Sequence, residues 1–249
     1  MTTIHQLQSL IEIDSPTGYT HHAADYIESV LHSYGLQPVR TPKGAVRCAL
    51  GPDPRLELAA HTDTLGAIVS GFNANGTLRF SLLGGPLLPS FEGGYVRVHT
   101  MSGGVLTGTL LLNDPSAHAN NKAGSAERTV DSMHIRLDEH VKGPNDVRGL
   151  GVRIGDIIAF DPKYTALANG YIKSHFLDNK AGCYVLFEVA RQITEEGRTV
   201  PVELFFSTYE EVGHGGAPSL SSSIDEILVI DMGVVGDKLE GSERLCSIC

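Results

Sequence analysis

The chain has 249 residues, 41% of them hydrophobic, and 19 Lys and Arg against 29 Asp and Glu give a formal net charge of −10. That length suits one large domain or two smaller ones. The acidic balance, with no cluster of Lys and Arg, argues against nucleic-acid binding, which depends on neutralising phosphates.

The first segment reads as a helix, with Ile4, Leu7, Leu10 and Ile11 on one face and Thr3 as N-cap. A second helix is expected from near Thr20, burying Ala24, Ile27, Val30 and Leu31 and stopping at Gly35. Strands follow at Ala45–Leu50 and Leu56–Ala60, the latter running directly into His61. Between residues 67 and 161 the texture changes to short β runs punctuated by Gly, Asn and Pro, among them Leu78–Phe80, Tyr95–His99, Val105–Leu112 and Ile157–Phe160. Such spacing indicates a small all-β unit, barrel or sandwich, with its polar centre, Asp114–Asp146, expected as a long loop. The α/β texture returns with a helix over Lys180–Ile193, opened by Asp178, and strands at Val202–Thr208 and Ile227–Ile230. The predicted fold class is therefore α/β, a mixed-sheet α/β/α domain formed by residues 1–66 and 162–249, interrupted by a barrel-like all-β insertion over 67–161.

No apolar run approaches the ~20 residues that span a bilayer. The start, Met1-Thr-Thr-Ile-His5, lacks the basic residues and apolar core of a signal peptide, so a cytoplasmic protein without membrane partners is expected. Of the four cysteines, Cys48, Cys183, Cys246 and Cys249, the last two have the spacing of half a zinc ribbon, but the other half is absent. They are expected as ordinary residues of an apolar strand, and no disulfide framework is expected.

Four polar segments share one kind of position. His61 follows a strand, Glu210 and Glu211 follow a strand, Asp231 ends one, and Asp178 opens a helix. In open α/β sheets ligands bind beyond the carboxyl ends of the strands, so these residues are expected to converge. Imidazole and carboxylates suit zinc, manganese or cobalt, and a bridging carboxylate can hold two such ions. Residues two apart in an extended chain point the same way, so Asp63 can brace the His61 imidazole. Glu210 and Glu211 diverge, leaving one for metal and the other for the attacking water. Taken singly, each has an ordinary reading: Asp178 as an N-cap, the glutamates as a solvated turn, His61-Thr-Asp63 as a hydrogen-bonded pair, and Asp231-Met-Gly233 as a loop entry. Only together do they favour a metal site.

Other motifs fall away. His134 and His140 do not form a His-Glu-x-x-His helix, and Gly149-Leu-Gly151 with Gly155 misses the dinucleotide fingerprint. No Gly-x-Ser-x-Gly elbow or phosphate-binding Gly-Lys-Ser/Thr loop is present. His21 and His22 belong to an exposed helical face, and His175 and His214 are read as neighbours of the motifs.

In order and context, His61-Thr-Asp63, Asp178-Asn-Lys-Ala-Gly182, Glu210-Glu-Val-Gly213 and Asp231 resemble the metallo-aminopeptidase family of tetrahedral and glutamyl aminopeptidases. The resemblance runs over essentially the whole chain, including the β insertion and the Gly155–Pro162 run that closes it. It implies a two-metal aminopeptidase acting on peptides, with Asp178 bridging the ions, His61 and Asp231 completing one position, Glu211 in the other and Glu210 as general base. It also implies two divalent ions, zinc first with cobalt or manganese as alternatives, a cis peptide at Asp178-Asn179, and a large homo-oligomer formed through the insertion. Chains of this family run further at the C-terminus, where the last histidine ligand would lie; no histidine follows His214. A fragment of a longer product is therefore expected. Alternative readings are a related amidase or deacylase, or an inactive scaffold that lacks that ligand.

Overall fold

The computed structural model describes residues 3–215 and 221–233. The chain divides into two compact units, Met1–Thr64 with Lys163–Cys249, and Leu65–Pro162. In chain order the first unit opens with helices α1 (Thr3–Glu12) and α2 (His21–Ser33) and strands β1 (Val39–Arg40), β2 (Val46–Ala49) and β3 (Leu56–His61). The second unit holds β4 (Gly66–Phe72), β5 (Leu78–Leu83), β6 (Tyr95–His99), β7 (Val105–Leu112), β8 (Met133–Leu137), α3 (Pro144–Gly149) and β9 (Ile157–Phe160). The chain then returns with the hairpin β10 (Thr165–Ala166) and β11 (Ile172–Lys173), α4 (Leu177–Glu195), β12 (Val202–Ser207) and β13 (Glu226–Val229).

The first unit is built on a five-stranded mixed sheet in the order β1-β2-β12-β3-β13. β3 runs parallel to both β12 and β13, so the carboxyl ends of all three lie at one edge. The period-two alternation of strands sorts the side chains. Ala60 of β3 and Leu204 and Phe206 of β12 join Leu10, Ala24, Ile27, Leu31, Leu186 and Phe187 in one buried core. Each fully buried Leu or Phe contributes roughly 1.5–3 kcal/mol there. The predicted faces hold for α2, while Ile4 of α1 is 42% exposed, and the helix begins at Thr3 itself.

Glu57, Ala59 and His61 point to the opposite sheet face, and there Glu57 is a buried charge problem. It has no exposed surface and neither oxygen has a hydrogen-bond donor. Across the ladder lies Glu203, itself bonded to Arg47, whose guanidinium stays 4.0 Å from Glu57. Burial, then the like charge of Glu203, pushes the Glu57 carboxyl up to about 7, against the opposing pull of Arg47. A carboxyl raised in the folded state adds stability below its unfolded pKa, and this is lost as pH rises through the folded value. Glu57→Gln should therefore unfold like the parent near pH 4 and be more stable above pH 7, by about 1–3 kcal/mol. Denaturant midpoints at both pH values check this; equal midpoints above pH 7 would contradict it.

The second unit is a closed barrel in the order β4-β5-β8-β7-β6-β9. All its pairings are antiparallel, and Val69, Phe80, Val98, Leu110, Ile135 and Ile158 fill it. The long loop expected over Asp114–Asp146 is corrected here. β8 lies inside it and pairs with both β5 and β7, and α3 starts at Pro144. Met133-His-Ile-Arg-Leu137 buries alternate residues, so a strict period-two strand is hidden in a stretch whose mean composition is polar.

Cys48 and Cys183 are buried free thiols, and burial pushes them up to about 11 and about 12. The run Cys246–Cys249 lies outside the described residues. Among the described residues, no helix is long and apolar enough to cross a membrane.

Candidate metal centre

Strand β3 delivers His61, buried to 3% exposure, to the edge where β12 and β13 also end. Its Nδ1 donates to the Asp63 backbone carbonyl at 2.9 Å, which fixes the ring and turns Nε2 toward the carboxylates. Nε2 is 3.0 Å from Asp178 Oδ1, 3.7 Å from Glu210 Oε2 and 4.0 Å from Asp231 Oδ1. His61, Asp178 and Asp231 each offer a ligand atom, and these atoms lie within 4.8 Å of one another. One imidazole with carboxylates is a donor set for zinc, manganese or cobalt, so these residues fit a divalent ion. Burial lowers the basicity of His61, but hydrogen bonding to Asp178 and Asp63 outweighs it and pushes the ring up to about 10.

Every residue of Asp178-Asn-Lys-Ala-Gly182 has a visible task, Ala181 excepted. The peptide bond from Asp178 to Asn179 is cis; both residues depart from helical geometry within the first turn of α4, whose N-cap is Phe176 rather than Asp178. Asn179, fully buried, donates to the Ile230 carbonyl at 2.7 Å and accepts from Gly182 N at 3.0 Å. It thereby ties Asp178 to the residue before Asp231. The Lys180 ammonium, also fully buried, donates to Leu10 O at 3.0 Å and Ile13 O at 3.3 Å, satisfying orphan carbonyls at the end of α1. Gly182 admits no side chain, since a Cβ there would stand 2.1 Å from Asn179 Oδ1 and 2.9 Å from Ile230 O.

Glu210 and Glu211 occupy a 3-10 turn after β12, between Tyr209 and Gly213, both in the left-handed region. Asp63 serves more than the His61 ring. Its carboxylate, with no exposed surface, reaches His61 Nδ1 only at 3.5 Å, the closer contact being its backbone carbonyl. The two oxygens instead accept Thr17 Oγ1 at 2.7 Å, Glu210 N at 3.1 Å and Glu211 N at 3.3 Å. Burial would raise Asp63, but the donors around it, His61 and Thr17 foremost, hold it below the usual carboxylate range. Asp63 thus holds the Glu210–Glu211 turn as well as the His61 loop. From outside, Lys43 donates to His214 O at 3.0 Å and its ammonium lies 4.9 Å from the Tyr209 ring centroid.

Glu210 keeps a half-exposed carboxylate beside His61, raised by burial and by neighbouring carboxylates against the pull of the imidazole. Burial, then Asp178, Asp63 and Glu210 against His61, push Glu211 up to about 7, and Glu211 stands outside the three-residue cluster. His21 and His22 are exposed at the start of α2; His214 bonds Lys43, and His175 rests near the Phe176 ring. None of these four joins the cluster. A cavity of about 330 Å³ adjoins His61, Glu210 and Asp231 and runs over Ala59 between Phe205 and Val229.

These features define a class: an α/β sheet unit carrying a divalent-metal donor set beyond its parallel strand ends, interrupted in sequence by a β-barrel. Residues 44–248 match the M42 glutamyl aminopeptidase family, and the chain belongs to it. The relative named "Putative aminopeptidase YhfE" from Bacillus subtilis (strain 168) is 39% identical over 252 residues, covering 99% of this chain and 73% of the relative. Lysyl aminopeptidase from Pyrococcus furiosus is 28% identical over 230 residues, 92% of this chain and 65% of that protein. The TET aminopeptidase of Thaumarchaeota archaeon SCGC AB-539-E09 superposes with a TM-score of 0.81 at 26% identity, over 97% of this chain and 68% of that one. The chain thus spans about two thirds to three quarters of the length of these relatives.

Proposed function

We propose that the chain carries the catalytic centre of a cytoplasmic metal-dependent aminopeptidase that removes N-terminal residues from peptides. The observation that carries this reading is the cluster of His61, Asp178 and Asp231 with Glu210 within 3.7 Å of the same imidazole nitrogen. In this reading His61, Asp178 and Asp231 hold one divalent ion, zinc first, and Asp178 with Glu211 begins a second position. Bound ions would polarise the scissile carbonyl and acidify a water. Glu210, half-exposed and facing the cluster, would take a proton from the attacking water and return it to the leaving amine. Asp63 keeps the Glu210 backbone in register with His61, and the adjoining cavity receives the N-terminal side chain.

Release of amino acids from aminoacyl chromogenic substrates, abolished by chelator and restored by zinc, cobalt or manganese, tests the reading. Absence of turnover at any of these metals would overturn it for this chain. Self-association belongs to the same proposal. The barrel unit exposes Leu87, Tyr95, Met101 and Ile154 at 64–75%, and in this reading Met101 and Ile154 lie in the contact between copies. Sizing of the purified protein should give a homo-oligomer, dispersed by Met101→Glu with Ile154→Glu.

A further inference from the structure

We infer that Thr17 is a positioning residue for the Glu210–Glu211 turn, acting through the Asp63 carboxylate; the catalytic part of this inference rests on the aminopeptidase reading above. The loop from α1 to α2 is laced to the segment after β3. Ser15 Oγ donates to Thr62 O at 2.8 Å, Thr64 N to Ser15 O at 2.9 Å, and Thr17 N to Thr64 O at 3.2 Å. Pro16 between them has a fixed φ, and Ser15 and Thr17 are both buried, so the lacing is rigid. Thr17 is β-branched and stiff at χ1, and its hydroxyl reaches Asp63 Oδ2 at 2.7 Å.

That contact matters because of what else the carboxylate holds. The terminal torsion of an aspartate is broad and two-fold, so backbone placement alone does not set the plane of the carboxylate. Glu211 N reaches the same Oδ2 at 3.3 Å, a long bond, and Glu210 N reaches Oδ1 at 3.1 Å. The Thr17 bond is the shortest of the three, at a length ordinary for a hydroxyl donor, and comes from a side chain held at χ1. It fixes the plane, and the plane fixes where two backbone amides, and with them the Glu210 side chain, can stand. Thr17 touches no candidate ligand atom, so it positions rather than reacts.

The test is a graded donor series in the full chain: Thr17→Ser keeps the hydroxyl, Thr17→Cys offers a weaker donor and Thr17→Val removes it. For each variant, amide hydrogen exchange at Glu210 and Glu211, zinc stoichiometry, and kcat and KM are measured. Exchange at the two glutamate amides should rise from Ser to Cys to Val. Turnover should fall about tenfold in Thr17→Val, with KM and zinc content unchanged and with Thr17→Ser close to the parent. If Thr17→Val does not fold, Thr17→Cys against Thr17→Ser carries the comparison. Exchange that is the same across the series overturns the inference, as does a loss of zinc or a rise in KM with kcat intact. If the parent itself shows no turnover, the aminopeptidase reading fails, and exchange with zinc binding still decides the role of Thr17.

Discussion

Glu210→Gln is expected to lower peptide turnover by about 10²–10⁴-fold, the usual contribution of a positioned general base. The substitution keeps the shape of the side chain and its backbone N–H bond to Asp63, and it replaces none of the three clustered residues. Zinc content and thermal midpoint should therefore stay at parental values while kcat collapses. KM should move little, since in the proposed mechanism the group acts on the water rather than on the substrate. Normal turnover with metal bound would remove Glu210 from the mechanism. Loss of turnover together with loss of zinc would make Glu210 a ligand instead.

Asp63→Ala carries the second large effect, and it falls on structure and metal together. The carboxylate is wholly buried and accepts from Thr17, Glu210 and Glu211. Its removal strands a hydroxyl and two amides and leaves the His61 ring without its nearby anion. Removing one member of such a buried charged network costs about 3–5 kcal/mol, and loss of a supporting group behind a ligand costs about 10–100-fold in metal affinity. Denaturant unfolding and zinc titration measure the two effects separately. If affinity stayed at the parental value, the backbone carbonyl of Asp63 alone would suffice to orient the imidazole.

Much of this was legible in the sequence because it was local. The strand into His61, the faces of α2 and the runs that became β6, β7 and β9 carry their periodicity within a few residues. The four motifs were readable because strand ends converge whatever lies between them. What escaped depends on contacts between distant segments. That Asp63 would reach amides 147 and 148 positions away is invisible until β3 and β12 lie side by side. Thr17 lay outside every motif, and Lys180 was placed only in the helix and motif that follow Asp178; its partners are carbonyls at the end of α1. The misread Asp114–Asp146 segment failed for a different reason. Its strand is five residues of clean alternation, outweighed by the polar residues on either side.

The glycine at position 182 bears on how far apart Asp178 and Asp231 stand. α4 and the chain leaving β13 approach across its missing side chain, joined by the amide of Asn179. A methyl group there would push the Ile230 carbonyl and Asn179 apart, and Asp178 and Asp231 would part with them. In the proposed metal site, the spacing of two carboxylates would thus depend on a hydrogen atom that meets no ion.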